Sequence, residues 1–132
     1  MKVVFVYGTL KRGHGNHVLL KDSDFLGPAI TEDKFIMYQS GVPFVSKHHN
    51  MVVISGEAYK VDELTLNRLD MLEGHPTWYK REETPIKYIN REGKIINTNA
   101  WLYFCDDIPS QAEVITTGIY GFKKNNRFRT LL

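Results

Sequence analysis

Val3-Val4-Phe5-Val6-Tyr7-Gly8-Thr9-Leu10 is an unbroken apolar, β-branched and aromatic run that halts at a glycine. Over Val3 to Tyr7 such a run reads as a strand buried on both faces. Gly8 ends it, because glycine lets the chain turn sharply and lets a ligand approach the backbone. Consecutive free N–H groups in a turn of this kind form a concavity suited to a carboxylate or an oxyanion. Tyr7, Gly8, Thr9 and Leu10 are therefore a candidate ligand-binding loop, although a plain strand-ending turn fits the same letters. It is neither a P-loop nor a dinucleotide fingerprint, since Gly8, Gly13 and Gly15 have the wrong spacing.

Outward from this run, Lys11 to Lys21 is polar and glycine-punctuated, a loop leading into a helical turn at Val18-Leu19-Leu20. Phe25 to Tyr38 reads as strand pieces around a break at Gly27-Pro28, and Gly41-Val42-Pro43 as a turn. Met51 to Val61 is a strand in which Gly56 marks a bulge or a close approach. Asp62 to Glu73 is the one clear helix: Asp62 is a good N-cap, Glu63 suits the first turn, Gly74 fits C′, and Pro76 prevents continuation. Tyr79 to Ile89 and Lys94 to Phe104 form a hairpin across Asn90-Arg91-Glu92-Gly93. Ser110 to Thr117 reads as a short helix capped by Ser110, and the tail from Gly121 as irregular. Many strands with few helices indicate an α+β fold, a small mixed β-barrel or strongly curled sheet.

The 132 residues amount to one domain, 42% hydrophobic and 24% charged, as in a globular protein. Seventeen basic against fifteen acidic residues, a formal charge of +2, argue against nucleic acid or an anionic membrane as main partner. The N-terminal apolar run stops at Gly8, too short for a signal-peptide core or a membrane span. A single cysteine, Cys105, allows no internal disulfide and fits a reducing, cytoplasmic setting.

Glu73 stands in the last turn of the helix, where the macrodipole disfavours a carboxylate. At about 100° per residue it projects between Leu66 and Leu69, on the edge of an apolar stripe that also takes in Arg68. Burial and the helix C-terminus would both raise its pKa, which suits a general acid/base near neutrality. A surface glutamate near a helix end fits the same local pattern.

Val4-Phe5-Val6-Tyr7-Gly8-Thr9-Leu10-Lys11-Arg12-Gly13, together with Asn16-His17, resembles the opening of the gamma-glutamylcyclotransferase-like family, most of all its gamma-glutamylamine cyclotransferase branch. Gly56-Glu57-Ala58-Tyr59 resembles the strand before that family's helix. Leu69-Asp70-Met71-Leu72-Glu73, followed by Pro76, Tyr79 and Arg81, resembles the helix end that carries its catalytic glutamate. The resemblance runs over about residues 3 to 104. It implies a small mixed barrel and a cofactor-independent enzyme of the lyase or acyltransferase type. The substrate it implies is a small γ-glutamyl amide, whose own α-amine attacks its γ-carbonyl to give 5-oxoproline and a free amine. It further implies Glu73 as general base and acid, Tyr7 to Leu10 as the substrate loop, and Tyr79 and Arg81 as pocket or structural residues. Because an arginine beside Glu73 would lower its pKa, Arg81 is expected to point elsewhere. Gly41 to Asn50 and the tail after Thr116 match poorly, which leaves the leaving amine open, and His75 carries no implied role. The competing reading is a non-catalytic small-ligand or peptide-binding module of the same fold.

Other chemistry is weakly signalled. His14, His17, His48 and His49 lack the ligand set of a zinc site. Cys105 has no local histidine and reads as a core thiol. No Gly-x-Ser-x-Gly elbow is present. Lys123, Lys124, Arg127 and Arg129, with Phe122 and Phe128 between them, make a basic tail that fits a solvated terminus better than a phosphate contact. Trp78 and Trp101 read as core or pocket-wall residues.

Overall fold

In the computed structural model, residues 1–121 are described. The basic tail from Phe122 onward lies outside them. The strands, in chain order, are β1 Lys2–Val6, β2 Asp24–Ser40, β3 Val42–Ser46, β4 Val52–Val61, β5 Lys80–Ile89, β6 Ile95–Phe104 and β7 Glu113–Val114. A 3₁₀ turn, His17–Leu20, follows the glycine loop, and one helix, α1 Glu63–Glu73, joins β4 to β5.

Five strands close on themselves in the order β2-β4-β1-β6-β5, with β5 pairing back to β2 through Ala29↔Tyr88 to Thr31↔Ile86. The β1–β6 pairing is parallel and the others are antiparallel, so the barrel is mixed. Side chains alternate across each strand. Phe5, Ile54, Ala58, Ile86, Ala100 and Leu102 fill the interior, while Val4, Val6, Tyr59 and Val61 point outward to meet Leu66 and Leu69 of α1. β1 is thereby buried on both faces.

Both ends of α1 are as their letters imply. The Asp62 side chain accepts from the Thr65 N–H at 2.8 Å, and Gly74 sits in the left-handed region at φ 68°, with its N–H turned back to the helix carbonyls. The β5–β6 hairpin closes on Asn90, whose Oδ1 accepts from the Glu92 and Lys94 N–H groups. Arg68, expected in the apolar stripe, is exposed. Leu66 and Leu69 alone of the helix are fully buried, so the stripe is narrower than the wheel suggests.

Three expectations are corrected. Phe25 to Tyr38 is not a pair of strand pieces around a turn but part of one 17-residue strand. Gly27-Pro28 is absorbed as an irregularity in its pairing with β4, which is unbroken from Gly27 to Ile30. Gly41 alone turns the chain, at φ 75°, and Val42-Pro43 already belong to β3, an edge strand where proline is tolerated. Ser110 to Thr117 is not helical. The β-branched pair Val114-Ile115 suits an extended chain, and Val114 and Glu113 pair with Tyr38 and Gln39 of β2, before the chain turns at Thr116-Thr117.

Gly56 is the close-approach point foreseen for β4: a Cβ built there would lie 2.2 Å from the Val6 carbonyl oxygen. That oxygen belongs to the barrel backbone and cannot retreat without disturbing the β1–β4 ladder. Gly56→Ala is therefore expected to destabilise the fold by about 2 kcal/mol, read as a fall in denaturant midpoint. Among the described residues no helix is long and apolar enough to cross a membrane.

Candidate active site

The chain leaving β1 cannot continue as strand and coils back on itself. The Gly8 carbonyl accepts from the Lys11 N–H at 3.0 Å, and the Thr9 carbonyl from the Asn16 N–H at 2.9 Å. Asn16 Nδ2 donates to Thr9 Oγ1 at 2.9 Å, and the His17 ring Nδ1 lies 3.0 Å from the Leu10 carbonyl. Carbonyls are thus turned inward to the loop's own body. Among the described residues, the N–H groups of Gly8, Thr9 and Leu10 have no acceptor. Gly8 also packs on β3, since a Cβ there would fall 2.7 Å from Pro43 Cγ.

These residues border a cavity of about 180 Å³ between the loop, the tip of β3 and the C-terminal end of α1. Tyr7, Gly8, Thr9, Leu10, Glu73 and Tyr79 all line it. Glu73 reaches it because the last turn of α1 ends there. The chain then folds over Gly74, with the Tyr79 N–H bonding to the Glu73 carbonyl at 3.2 Å. Burial raises the Glu73 pKa from 4.5 to about 7. Among the described residues no cation pairs with it.

Three tyrosines surround this carboxyl. The Tyr7 hydroxyl donates to the Tyr103 carbonyl at 2.6 Å, and the Tyr79 hydroxyl to the Pro43 carbonyl at 2.8 Å. Burial first, and then the Glu73 charge, push both phenols upward, so they are neutral and their protons are committed to carbonyls. Their work is to hold the loop and β3 against the barrel.

Arg81 stands outside the cavity lining. Arg81 and Tyr103 are directly paired residues of β5 and β6, so they project from one face. Both meet Asp70, three residues before Glu73 on α1. Arg81 Nε and Nη2 grip the two carboxylate oxygens at 2.8 and 3.2 Å, and the Tyr103 hydroxyl donates at 2.6 Å. Burial would raise the Asp70 pKa, but the Arg81 and Tyr103 hydrogen bonds hold it below the usual range. The guanidinium also lies 4.3 Å above the Trp101 ring. His75 Nδ1 accepts the Arg81 N–H at 3.2 Å, which gives that histidine a structural place. With the cation held by Asp70, no described residue depresses the Glu73 pKa.

The sequence marked the loop, Glu73 and Tyr79, but not Tyr103, Val42, Pro43 or Leu72 on the cavity wall. Nor did it mark the Asp70–Arg81–Tyr103 network. Asp70 lies one turn before Gly74, and the hairpin register counted back from Gly93 sets Arg81 opposite Tyr103.

The family model for gamma-glutamyl cyclotransferase, AIG2-like, matches residues 4–121. A gamma-glutamylcyclotransferase-family protein of Methanocaldococcus jannaschii is 47% identical over 105 residues, covering 79% of this chain and 84% of that protein. The gamma-glutamylaminecyclotransferase of Rattus norvegicus is 35% identical over 105 residues, covering 70% of this chain and 68% of that protein. The crystal structure of an AIG2-like protein from Mus musculus superposes with a TM-score of 0.76 at 25% identity, over 97% of this chain and 92% of that one. A family match from β1 to the end of the described residues, on a barrel shared with the mouse protein, makes this chain a member of the gamma-glutamyl cyclotransferase, AIG2-like family and an enzyme of the gamma-glutamylcyclotransferase class.

Proposed function

We propose that the protein is a γ-glutamylamine cyclotransferase, which cleaves a γ-glutamyl amide by attack of the substrate's α-amine on its own γ-carbonyl. The observation that supports this reading is one cavity lined both by Gly8 to Leu10, whose N–H groups have no acceptor among the described residues, and by Glu73, a buried carboxyl with no cation partner among them. A carboxyl with pKa near 7 accepts a proton from the α-ammonium and surrenders it again to the departing nitrogen. Five-membered ring closure needs little more than a folded substrate held in a near-attack pose.

The balance is simple. The α-nitrogen forms a bond to the carbonyl carbon of the γ-amide, the carbonyl electrons move to oxygen, and the bond to the amine nitrogen then breaks as the carbonyl re-forms. Two protons leave the α-ammonium in all. One passes through Glu73 to the departing nitrogen; the other is lost from the ring nitrogen and taken up by the free amine. No water is consumed. The loop N–H groups receive the α-carboxylate or the developing oxyanion.

Incubation with a γ-glutamyl alkylamide tests this directly. Equimolar 5-oxoproline and amine are expected, measured by mass spectrometry. Glutamate in place of 5-oxoproline would mean hydrolysis by water and would overturn the cyclisation.

A further inference from the structure

Gly8, Thr9 and Leu10 leave their N–H groups without an acceptor among the described residues, so the aim of these groups depends on what holds the loop at its two ends. Backbone donors serve a negative charge best when they are fixed before it arrives. The first end is fixed by β1 itself and by the Tyr7 hydroxyl on the Tyr103 carbonyl. The second end is Arg12, and the residue that fixes it stands outside the cavity.

That residue is Glu57 of β4. It pairs with Val6, the last residue of β1, and lies two residues before Tyr59, so its side chain leaves the barrel on the outward face beside theirs. One oxygen, Oε1, accepts the Arg12 backbone N–H at 2.9 Å and the Tyr59 hydroxyl at 3.0 Å. The chain that departs after Val6 is thereby returned to the very residue that Val6 pairs with. The Arg12 side chain closes the circuit. Its guanidinium lies 4.9 Å above the Phe25 ring, and that ring packs on Tyr59 at 5.3 Å. Burial lowers the Lys11 pKa, and the nearby Glu57 charge works against that fall. The Lys11 ammonium donates to the Tyr120 carbonyl at 2.7 Å, which ties the same stretch of loop to the end of the described chain. Glu57, Lys11 and Arg12 are all outside the cavity lining. Resting on the γ-glutamyl reading above, we propose that Glu57 is a positioning residue of the cyclisation, which holds Arg12 and so fixes the aim of the Gly8, Thr9 and Leu10 N–H groups at the substrate.

Product inhibition reads this out. 5-Oxoproline carries both the α-carboxylate and the former γ-carbonyl, so its inhibition constant reports on the loop whichever group the N–H groups hold. That constant does not depend on how much of the enzyme is folded. Glu57→Ala and Glu57→Met, which keeps the length without the oxygens, are expected to raise it about tenfold, together with KM for a γ-glutamyl alkylamide, the size of a lost hydrogen bond to a charged group. Glu57→Gln, whose amide oxygen accepts both bonds in place of Oε1, is expected to stay within about twofold of wild type. The rise of kcat/KM with pH should remain near 7 in every variant, since Glu73 is untouched. An unchanged inhibition constant in the alanine and methionine variants, with any loss confined to kcat, would mean only a fold-wide role and overturns the proposal. A glutamine variant as impaired as alanine overturns it too. Either result leaves the cyclisation standing if the wild-type enzyme releases 5-oxoproline. Should the wild type release none, the γ-glutamyl reading falls and the role of Glu57 with it. The methionine variant carries the comparison if alanine folds poorly.

Discussion

Glu73→Gln is expected to lower kcat for 5-oxoproline release by about a thousandfold and, at the same time, to stabilise the folded protein above pH 7. Glutamine keeps the shape but can neither take the ammonium proton nor return it. The gain in stability follows from burial. A carboxyl whose pKa in the fold is about 7, against an ordinary 4.5, holds its proton more tightly folded than unfolded. Its cost is absent below about pH 4.5, grows as pH rises between the two values, and is complete above pH 7, at about 3 kcal/mol. Replacing the acid with a neutral amide removes that dependence. Denaturant midpoints of the two proteins should therefore separate far more at pH 8 than at pH 5. A variant that still turns over would refute Glu73 as the proton carrier. One that loses activity without the pH-dependent gain would refute the buried, unpaired carboxylate.

Asp70→Ala is expected to destabilise the protein by about 3 kcal/mol. Asp70 and Arg81 are 17% and 18% exposed at the side chain, so solvent screens their pairing only in part. Removing the acid strands the Arg81 guanidinium over Trp101 and orphans the Tyr103 hydroxyl, the situation in which buried pairs cost most to break. The damage should extend to function. The Tyr103 carbonyl accepts the Tyr7 hydroxyl at the root of the loop, so a loosened Tyr103 frees the N–H groups from their fixed aim. KM for a γ-glutamyl amide is expected to rise several-fold. Asp70→Asn, which keeps an acceptor for Tyr103 but loses the charge, should fall between wild type and alanine. Chemical denaturation and steady-state kinetics on the three proteins check both effects. Equal stability of Asp70→Ala and wild type would contradict the network's role.

Features written in local letters were legible before the structure. The Val3 to Tyr7 run, the Asp62 and Gly74 caps and the Asn90 turn each depend on a few adjacent residues, and each stands where its chemistry puts it. The loop and Glu73 were legible for the same reason, one as a glycine after a buried strand, the other as an acid at the wrong end of a helix. What failed was non-local. Gly27-Pro28 stays in strand because β4 pairs with β2 before, through and after it, and β5 pairs with the three residues that follow. Ser110 has the letter of a cap, but the extended chain after it is claimed by the edge of β2. Arg81 has no visible partner in the sequence. Asp70 and Tyr103 reach it only once the hairpin register and the seat of α1 are fixed.

The most direct measurement of the central claim is the pH profile of kcat/KM for 5-oxoproline release from a γ-glutamyl alkylamide by the wild-type enzyme. Because the base must be ionised in the free enzyme, activity should rise with pH through a single deprotonation near pH 7, where burial sets the Glu73 carboxyl. A rise between pH 4 and 5, the range of an ordinary solvated carboxylate, or a profile flat through neutrality, would contradict it.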